Sequence, residues 1–313
     1  MHAYSLLAPA KINLHLEIIG DRADGYHELV MIMQSVGLCD RIEVCPNGSP
    51  NFRLHCDSVQ MPPPEQNLAY KAAQLMSAEF PEAFARLGGA DIALEKHIPI
   101  AAGLAGGSGN AAAVLVGLNL MWGLGLAQPE LQELASRLGS DIPFSVSGGT
   151  AIATGRGEKL DAINGPSQLW VVLAKYQSLE VSTPWAYNTY RQKFGHTYPR
   201  DTDILKSRAA RIHSGPLVEA ILHKNSARIG ELLYNDLEKI VLPEYPQVAE
   251  LKTAMQRPGV LGVLMSGSGP TVFALCASRE EAARVKTEVR EQIRDRDLGL
   301  WIAPFSSGGI QVA

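Results

Sequence analysis

The chain has 313 residues, a formal net charge of -4 at pH 7, 46% hydrophobic residues and 19% charged residues. This composition is typical of a globular protein, and the length predicts two domains of roughly 150 residues each. Because the charge balance is slightly acidic, it provides no general attraction for nucleic acid or for an anionic membrane. Any phosphate group must therefore be held by a local site.

Neither the cysteines nor the long neutral segment of the sequence indicates a special class of protein. The four cysteines contain no C-x-x-C pair, so they predict no zinc framework, and we expect reduced thiols in a cytoplasmic protein. No Asp, Glu, Lys or Arg lies between Ile98 and Gln128, but Ser108, Asn110 and several glycines interrupt the apolar residues there. A membrane-spanning helix needs about 20 mostly apolar residues. The segment is therefore expected to be a neutral loop followed by a buried core helix.

The first part of the chain is predicted to be a strand. In A-K-I-N-L-H-L-E, from residue 10 to residue 17, apolar and polar residues alternate as in a half-buried strand. No targeting pattern precedes it, and we expect it to be the first strand of the mature protein. Asp24-Gly25 indicates a turn before a second apolar strand, and Asn67 is expected to cap a helix. A further strand is predicted to end near Lys96.

The middle of the chain, beyond the neutral segment, contains helix, hairpin and strand patterns. We expect an amphipathic helix over residues 128–138, a hairpin over 148–160 and a buried strand over 169–176. The charged segment 190–214 is expected to be an exposed connection with helical parts.

The last third mixes helices and strands. Helices are predicted near 216–222 and 226–241, a strand, glycine turn and second strand over 260–277, and a charged helix over 280–294. Because the whole chain lacks a regular βαβ alternation, the sequence predicts an α+β fold. We expect the first domain to comprise residues 1–163 and the second 164–313.

The most informative segment is G-L-A-G-G-S-G, from Gly103 to Gly109. Its four glycines in seven residues allow positive φ angles and a close approach of the backbone to a ligand. A helix is expected to follow from near Asn110, and its free N–H groups and dipole suit the phosphates of a nucleotide.

Other interpretations of this segment remain. It is not a Walker A loop, because no Lys-Ser or Lys-Thr pair follows the glycines. A G-x-G-x-x-A string runs from Gly107 to Ala112, but the preceding strand ends about ten residues too early for the tight turn of a dinucleotide fold. A third interpretation is that the glycines bind no ligand and merely permit close packing of the helix. A second glycine turn, Ser266 to Pro270, argues against that alternative, because loops from two domains fit a cleft that binds a polyphosphate.

Five motifs in this order are those of a known family. They are Pro9-Ala10-Lys11-Ile12-Asn13-Leu14, Asp24-Gly25-Tyr26-His27-Glu28-Leu29, Pro99 to Asn110, Ser140-Asp141-Ile142-Pro143, and Ser266 to Pro270. The chain resembles the GHMP kinase superfamily and, through P-A-K-I-N-L and D-G-Y-H-E-L, its branch in the non-mevalonate isoprenoid pathway. The resemblance implies an N-terminal domain like ribosomal protein S5 domain 2, a C-terminal ferredoxin-like domain and an active site between them.

The resemblance also implies an activity, a cofactor and partners. ATP would phosphorylate the 2-hydroxyl of 4-diphosphocytidyl-2-C-methyl-D-erythritol, a small molecule carrying a cytidine diphosphate. A homoserine or mevalonate kinase is the alternative in the same superfamily, but it has no reason to carry D-G-Y-H-E-L. A nucleotide-binding regulator that lost the chemistry would be expected to lack Lys11 or Asp141. No nucleic acid or membrane partner is expected, and the protein is expected to be a monomer or a weak homodimer.

Two residues are implied to be catalytic. Asp141 is the candidate base that relieves the acceptor hydroxyl of its proton, although from the sequence alone it is equally a helix N-cap. Lys11 alternates with apolar residues, which usually places a lysine on the solvent side of a strand. The resemblance instead puts Lys11 beside Asp141, where it would stabilise the carboxylate and the transferring phosphoryl group.

The remaining site residues follow from matching positions in the family. For ATP these are Asn67 and Lys96 near the adenine, each with a plain alternative as a helix cap or a strand-edge charge, and the loop residues Pro99, Ile100, Ala101, Ala102, Gly103, Leu104, Ala105, Gly106, Gly107, Ser108 and Gly109. For the acceptor they are Asn13, Tyr26, His27, Thr183, Tyr187, Gly267, Ser268 and Gly269. Tyr26 is implied to stack on the cytosine, His27 to bind its edge and Tyr187 to close the other face, with Trp185 as the competing aromatic residue.

One position departs from the family pattern. The family loop commonly has the sequence G-G-G-S-S-N, whereas this chain has A-G-G-S-G-N, so that Gly109 replaces the second serine. Since related kinases use a hydroxyl there for the metal, we expect Mg²⁺ to be held mainly by ATP oxygens and water, with no protein ligand. Ser108 remains available for a phosphate.

Overall fold

The computed structural model describes residues 2–58, 62–166, 168–199 and 201–313, without the side chains of Thr202 and Lys206. These residues form the predicted α+β fold, with strands gathered in two sheets. The strands are β1 (Tyr4–Asp21), β2 (His27–Pro46), β3 (Arg53–Cys56), β4 (Ala90–Glu95), β5 (Thr150–Gly155), β6 (Lys159–Ile163), β7 (Trp170–Tyr176), β8 (Tyr234–Asn235), β9 (Gly262–Met265), β10 (Val272–Cys276), β11 (Leu298–Pro304) and β12 (Gln311–Val312). The helices are α1 (Leu68–Glu79), α2 (Pro81–Leu87), α3 (Gly106–Trp122), α4 (Gln128–Ser136), α5 (Ile142–Ser147), α6 (Thr183–Phe194), α7 (Thr202–Arg211), α8 (Pro216–Leu222), α9 (Ser226–Glu231), α10 (Glu238–Glu244), α11 (Pro246–Met255) and α12 (Arg279–Gln292).

The first sheet is built on the long antiparallel pair of β1 and β2. It has the order β12-β1-β2-β4-β3, and β5 also pairs with β2 and carries β6 as a hairpin partner. Three irregularities interrupt the ladder of β1 and β2, one of them between Pro9 and Ala10. Such irregularities re-aim side chains. Residues 8–14 are all buried, so both faces of β1 are covered here, which differs from the half-buried strand expected.

The second sheet is four-stranded and antiparallel, with the order β11-β7-β10-β9. Taken in chain order, its strands are arranged fourth, first, third, second, with α12 between the last two, as in a ferredoxin-like domain. Helices α11 and α12 contact this sheet. Val171, Leu173 and Phe273 from it share one buried core with Ile12 and Leu14 of β1, so the two sheets are joined by apolar packing.

The C-terminal half also returns to the first sheet. The short strand β8 pairs in parallel with β1, and β12 pairs with it antiparallel. Asp236 Oδ2 accepts a hydrogen bond of 2.8 Å from the N–H of Ile18. Asn235 Nδ2 donates to the carbonyl of Gly267 at 2.8 Å, which connects β1 to the second glycine turn.

Helix α3 is apolar on all sides, which explains the neutral segment of the sequence. It is buried and contacts β1 and α1. A helix that is hydrophobic all round belongs in a core or a membrane. Among the helices of the described residues, none has the length and apolar character required to span a bilayer.

Some boundaries differ from those predicted. The helix expected over 226–241 is divided into α9 and α10, because the residues between them form β8 and pair with β1. The helix expected from near Asn110 begins at Gly106. Tyr190, expected in an exposed connection, is buried on α6; Arg200, in the same connection, lies outside the described residues.

Candidate functional site

A cavity of about 800 Å³ lies where the two sheets and the two glycine segments meet. It brings together almost every site residue that the sequence predicts, and Gly109 and Gly269 are the exceptions. The predicted residues that line it are Lys11, Asn13, Tyr26, His27, Asn67, Lys96, Pro99, Ile100, Ala101, Ala102, Gly103, Leu104, Ala105, Gly106, Gly107, Ser108, Asp141, Thr183, Tyr187, Gly267 and Ser268.

Lys11 is a buried lysine in the floor of this cavity. Its side chain is only 6% exposed, and its Nζ lies 3.8 Å from Oδ2 of Asp141. Nζ also donates to Oδ1 of Asn13 at 2.7 Å, two residues along the same strand face. A buried ammonium group requires such partners. The usual interpretation of an alternating lysine, on the solvent side of a strand, is therefore wrong here.

Asp141 precedes α5 but does not cap it with its side chain. Its backbone carbonyl accepts from the N–H of Ser145 at 3.1 Å, whereas its carboxylate lies beside Lys11 and is 34% exposed in the cavity. The carboxylate therefore does not act as an N-cap. It remains accessible to a ligand in the cavity.

The segment before α3 is attached both to β1 and to the second glycine turn. The backbone N–H of Lys11 donates to the carbonyl of Leu104 at 3.0 Å. The carbonyl of Gly103 accepts from Nζ of Lys11 at 3.2 Å and from Oγ of Ser266 at 3.1 Å. A Cβ at Gly103 would lie 2.4 Å from the carbonyl oxygen of Ser266, so only glycine allows this approach.

Positive φ angles occur at fewer of the glycines than the sequence suggests. They are found at Ala101 (50°), Gly103 (71°) and Ala105 (57°), whereas the later glycines belong to the first turn of α3. The left-handed conformation of Ala105 brings the chain into the helix earlier than expected.

The first turn of α3 opens into the cavity. Its first i→i−4 bond is donated by Gly109 to Ala105 at 2.8 Å. The N–H groups of Gly106, Gly107 and Ser108 come before that bond and are available to an anion. Gly109 itself faces away, since a Cβ there would lie 3.4 Å from Cβ of Ala8. Gly109 thus packs against β1 and does not line the cavity.

A fully buried carboxylate, which the sequence did not single out, holds the same region from beneath. Asp40 is 0% exposed and is ion-paired with Lys96. It also accepts from the backbone N–H of Ile98 at 2.8 Å and from Nδ2 of Asn110 at 2.8 Å. Lys96 Nζ donates in turn to Oδ1 of Asn110 at 3.0 Å. One network thus joins β2, the start of the loop and α3. The sequence offered no clear signal for Asp40, because β2 contains other charged residues around it.

Asn67 caps a helix, as one of its two predicted interpretations requires, and it also lines the cavity. Its Oδ1 accepts from the N–H of Ala69 at 2.9 Å, which caps α1. Its Nδ2 is buried, lines the cavity and has no hydrogen-bond partner among the described residues. A buried donor of this kind requires a partner, which a bound ligand can supply.

The opposite end of the cavity is aromatic. The rings of His27 and Tyr187 lie with centroids 5.2 Å apart, and Tyr26 is 52% exposed at the rim. Trp185 is directed elsewhere and packs edge-on against Tyr245 at 5.5 Å. Of the two competing aromatic residues on α6, Tyr187 is therefore the one that lines the cavity.

The environment of His27 fixes its charge. Burial, followed by the positive charge of Arg191, lowers the pKa of His27 to about 4. At neutral pH its imidazole is uncharged and provides one donor and one acceptor. Nε2 of this ring is buried 3.7 Å from Oδ1 of Asp21 and has no hydrogen-bond partner among the described residues. Burial, and next the negative charge of Asp141, raise the pKa of Tyr187.

The second glycine turn contributes Gly267 and Ser268 to the wall. Oγ of Ser268 lies 2.8 Å from Oγ of Thr183. A Cβ at Gly267 would lie 3.3 Å from Nζ of Lys11, so this turn sits directly over the lysine. Gly269, behind the lining, donates its N–H to the carbonyl of Ser266 at 2.9 Å and shapes the turn.

Sequence reasoning missed several lining residues, of which Arg156 is the most notable. Its guanidinium carbon lies 5.3 Å from the ring centroid of Tyr26. It comes from the turn between β5 and β6, where no motif drew attention to it. Leu16, Leu29 and Met31 provide apolar surface near the same end.

Comparisons with known proteins agree with this architecture. The GHMP kinases N terminal domain family matches residues 67–149, and the GHMP kinases C terminal family matches residues 217–295. Homoserine kinase from Cytophaga hutchinsonii has the same fold, with a TM-score of 0.74 at 18% identity, covering 100% of this chain and 98% of that one.

Other relatives are much closer in sequence. The 4-diphosphocytidyl-2-C-methyl-D-erythritol kinase of Gloeothece citriformis (strain PCC 7424) is 63% identical over 312 residues, covering 100% of this chain and 99% of that protein. The protein of that name from Synechocystis sp. (strain ATCC 27184 / PCC 6803 / Kazusa) is 55% identical with the same coverage. A crystal structure of 4-(cytidine 5'-diphospho)-2C-methyl-D-erythritol kinase has a TM-score of 0.72 at 32% identity, covering 97% of this chain and 100% of that one. The chain therefore belongs to the 4-diphosphocytidyl-2-C-methyl-D-erythritol kinase family of the GHMP kinases.

Proposed function

We propose that this kinase transfers the γ-phosphoryl group of ATP to the 2-hydroxyl of 4-diphosphocytidyl-2-C-methyl-D-erythritol, yielding the 2-phosphate and ADP. The reaction is a step of the non-mevalonate pathway to isoprenoid precursors. The observation that carries the proposal is the position of Lys11 and Asp141, 3.8 Å apart, between the open N-terminus of α3 and an aromatic pocket.

The helix end of the cavity is the proposed ATP site. The N–H groups of the first turn of α3 bind the phosphates, since a helix N-terminus is an anion site. The unpartnered Nδ2 of Asn67 supports a contact with a ring nitrogen of the adenine. Lys96 is ion-paired with Asp40, so its ammonium group is less available to the adenine. Its main contribution is positive charge beneath the loop.

The aromatic end is the proposed acceptor site. Tyr26 and Tyr187 sandwich the cytosine, and His27, which is neutral and lines the cavity, binds its edge. Such stacking contributes about 1–3 kcal/mol per base. Asn13, Thr183, Gly267 and Ser268 then lie between this pocket and Lys11, where the sugar alcohol would extend.

Catalysis follows from this placement. Asp141 accepts the proton of the 2-hydroxyl or orients that hydroxyl, and Lys11 stabilises the negative charge on the transferring phosphoryl group. Among the described residues, Asp141 is the only carboxylate that lines the cavity. Mg²⁺ would therefore enter with ATP and would be held mainly by phosphate oxygens and water. Ser108 would be available to the phosphates.

We further propose that the protein works in the cytoplasm as a monomer or a weak homodimer. The acceptor is the point at which related kinases differ, and an aromatic pocket beside a neutral histidine suits a nucleobase better than homoserine or mevalonate.

The test is to supply the protein and MgATP with three acceptors in turn: the cytidylated sugar alcohol, homoserine and mevalonate. We expect ADP to form with the first alone. Turnover of homoserine or mevalonate at a comparable kcat/KM would contradict the assignment of the acceptor, whereas no ADP with any of them would contradict the kinase activity.

A further inference from the structure

One face of α6 makes three separate contacts around the cavity, two of them with the N-terminal half of the chain. Thr183, Tyr187 and Arg191 are spaced four residues apart, so their side chains lie in one row along the helix. Thr183 contacts Ser268 of the second glycine turn, and Tyr187 contacts the ring of His27. Arg191, one turn further, reaches the connection between β1 and β2, which carries Tyr26.

Arg191 uses two arms of its guanidinium there. Nε donates to Oδ1 of Asp21 at 2.8 Å, and Nη2 donates to the carbonyl of Gly25 at 2.9 Å. The two acceptors lie at the end of β1 and at the tip of the turn. A planar guanidinium that bonds two fixed acceptors restrains their relative position as well as their distance.

The tip of this turn has little other support. Gly25 has a φ of 84°, and a Cβ added to it would meet nothing within 4 Å. Its other hydrogen bonds are local: the N–H of Tyr26 donates to Oδ1 of Asp24 at 3.2 Å, and the N–H of Arg22 donates to the carbonyl of Tyr26 at 2.9 Å. The rings of Tyr26 and His27 also contact distant residues, but these hydrogen bonds do not tie the backbone at Gly25 to the C-terminal half of the chain.

The ion pair is too exposed to be important mainly for stability. The side chains of Arg191 and Asp21 are 32% and 44% exposed, and a pair of that kind typically contributes little to the free energy of unfolding. Its value lies in geometry, since Tyr26 and Tyr187 come from opposite sides of the cleft and must be held at a fixed separation to stack on one base.

We propose that Arg191 is a positioning residue that fastens the turn bearing Tyr26 and His27 to α6, so that the acceptor pocket is formed before the acceptor binds. This rests on the proposed function, because it assigns the aromatic end of the cavity to the acceptor. Preorganisation lowers the cost of ordering a site on binding. Loss of Arg191 therefore weakens acceptor binding and leaves the ATP end of the cavity unchanged.

The experiment measures kcat and both KM values for Arg191→Met, Asp21→Asn and the double variant. We expect Arg191→Met to raise the acceptor KM about tenfold, the size of losing hydrogen bonds to a charged group. The KM for ATP and the kcat at saturating acceptor stay within about twofold of wild type. Asp21→Asn keeps the bond to Gly25 and has a smaller effect, and the double variant is no worse than Arg191→Met, because both substitutions act on one contact.

The matched control is Arg137→Met, which removes an exposed pair of similar length, 2.7 Å to Oε2 of Glu79, between residues that do not line the cavity. It should leave both KM values unchanged. An unchanged acceptor KM in Arg191→Met, or a parallel rise in both KM values, would overturn the positioning role. If Arg191→Met does not fold, Arg191→Lys decides the question through the two KM values, because it keeps the positive charge but not the planar group that bonds both acceptors. Wild-type protein that makes no ADP with the cytidylated acceptor contradicts the proposed function instead.

Discussion

Lys11 and Asp141 face each other across 3.8 Å at the point where the two glycine segments meet. Lys11 is held in place by Asn13 and by the carbonyl of Gly103, which also accepts from Ser266. The lysine is thus fixed to both halves of the chain, whereas the carboxylate of Asp141 remains partly exposed. An arrangement with a fixed cation and an open carboxylate suits transfer of a phosphoryl group to a hydroxyl.

Asp141→Asn tests the role of that carboxylate. We expect turnover to fall roughly 10²–10⁴-fold, the contribution typical of a general base. Binding of ATP should be retained, because the N–H groups of α3 are untouched. Single-turnover kinetics would measure the loss of the chemical step, and calorimetry with an unreactive ATP analogue would measure ATP binding. The matched control is Asp161→Asn, at a carboxylate on β6 that is 62% exposed and does not line the cavity. Turnover of Asp141→Asn near that of the wild type would contradict the role of Asp141 as a general base.

Tyr26→Ala tests which end of the cavity binds the acceptor. Loss of a stacking partner worth about 1–3 kcal/mol should raise the acceptor KM roughly 5- to 150-fold. The KM for ATP should change little. Trp185→Phe is the aromatic control, since Trp185 lies on α6 but packs against Tyr245 instead of lining the cavity. A rise confined to the KM for ATP would mean that the two ligands have been assigned to the wrong ends.

Asp40→Asn tests the network beneath the glycine segment. Removing the charge leaves Lys96 buried without its counter-ion, which typically costs about 3–5 kcal/mol. We expect a loss of that order in the free energy of unfolding, measured by urea denaturation, and a raised KM for ATP. Adding Lys96→Met should recover part of the stability, because no unpaired charge remains. Equal stability of Asp40→Asn and wild type would contradict a structural role for the pair.

The stability of the protein should depend on the charge of His27. Its pKa is lowered to about 4 in the folded protein from an ordinary value near 6.5, so between these values the unfolded state binds more protons. Stability therefore rises with pH in this window, and acidification from pH 7 to pH 5 should cost about 2 kcal/mol through this residue. His27→Gln should show a shallower loss of free energy of unfolding over that interval. Parallel curves for the two proteins would show that His27 is not held neutral.

Gly109→Ser tests whether the unusual loop sequence affects the metal. A Cβ at residue 109 is directed at Ala8, and the residue does not line the cavity. We therefore expect the serine to leave kcat and its dependence on Mg²⁺ concentration within about twofold of wild type, since Mg²⁺ keeps several waters and substrate phosphates as ligands. A clearly lower Mg²⁺ requirement would indicate that the hydroxyl reaches the metal.

The sequence predicts much of the fold because most elements carry local signals. The hairpin of β5 and β6, the buried strand β7 and the two strands around the glycine turn have clear patterns and form where expected. The division between α9 and α10 was not predictable, because it is caused by pairing of β8 with β1, over 200 residues away in sequence. The burial of Lys11 and Asn13 was not predictable for the same reason. Their alternation with apolar residues is that of a half-buried strand, and the residues that cover them come from distant parts of the chain.

The site residues divide in the same way. Motif matching finds Lys11 and Asn13, the two glycine segments and the D-G-Y-H turn. Nearly all of these residues line the cavity. Motif matching does not find Asp40, Arg156 or Arg191, which stand outside the motifs and act through tertiary contacts. Nor does it reveal that the glycines of the first turn of α3 are helical. Ala105 adopts the positive φ that glycine was expected to supply.

The central claim is tested most directly by a crystal structure of the protein with an unreactive ATP analogue, Mg²⁺ and the cytidylated sugar alcohol. The account predicts phosphate oxygens on the N–H groups of residues 106–108, cytosine between Tyr26 and Tyr187, and the 2-hydroxyl about 3 Å from the carboxylate of Asp141. A nucleotide bound with its triphosphate at the aromatic end, or an acceptor hydroxyl remote from both Asp141 and Lys11, would contradict it.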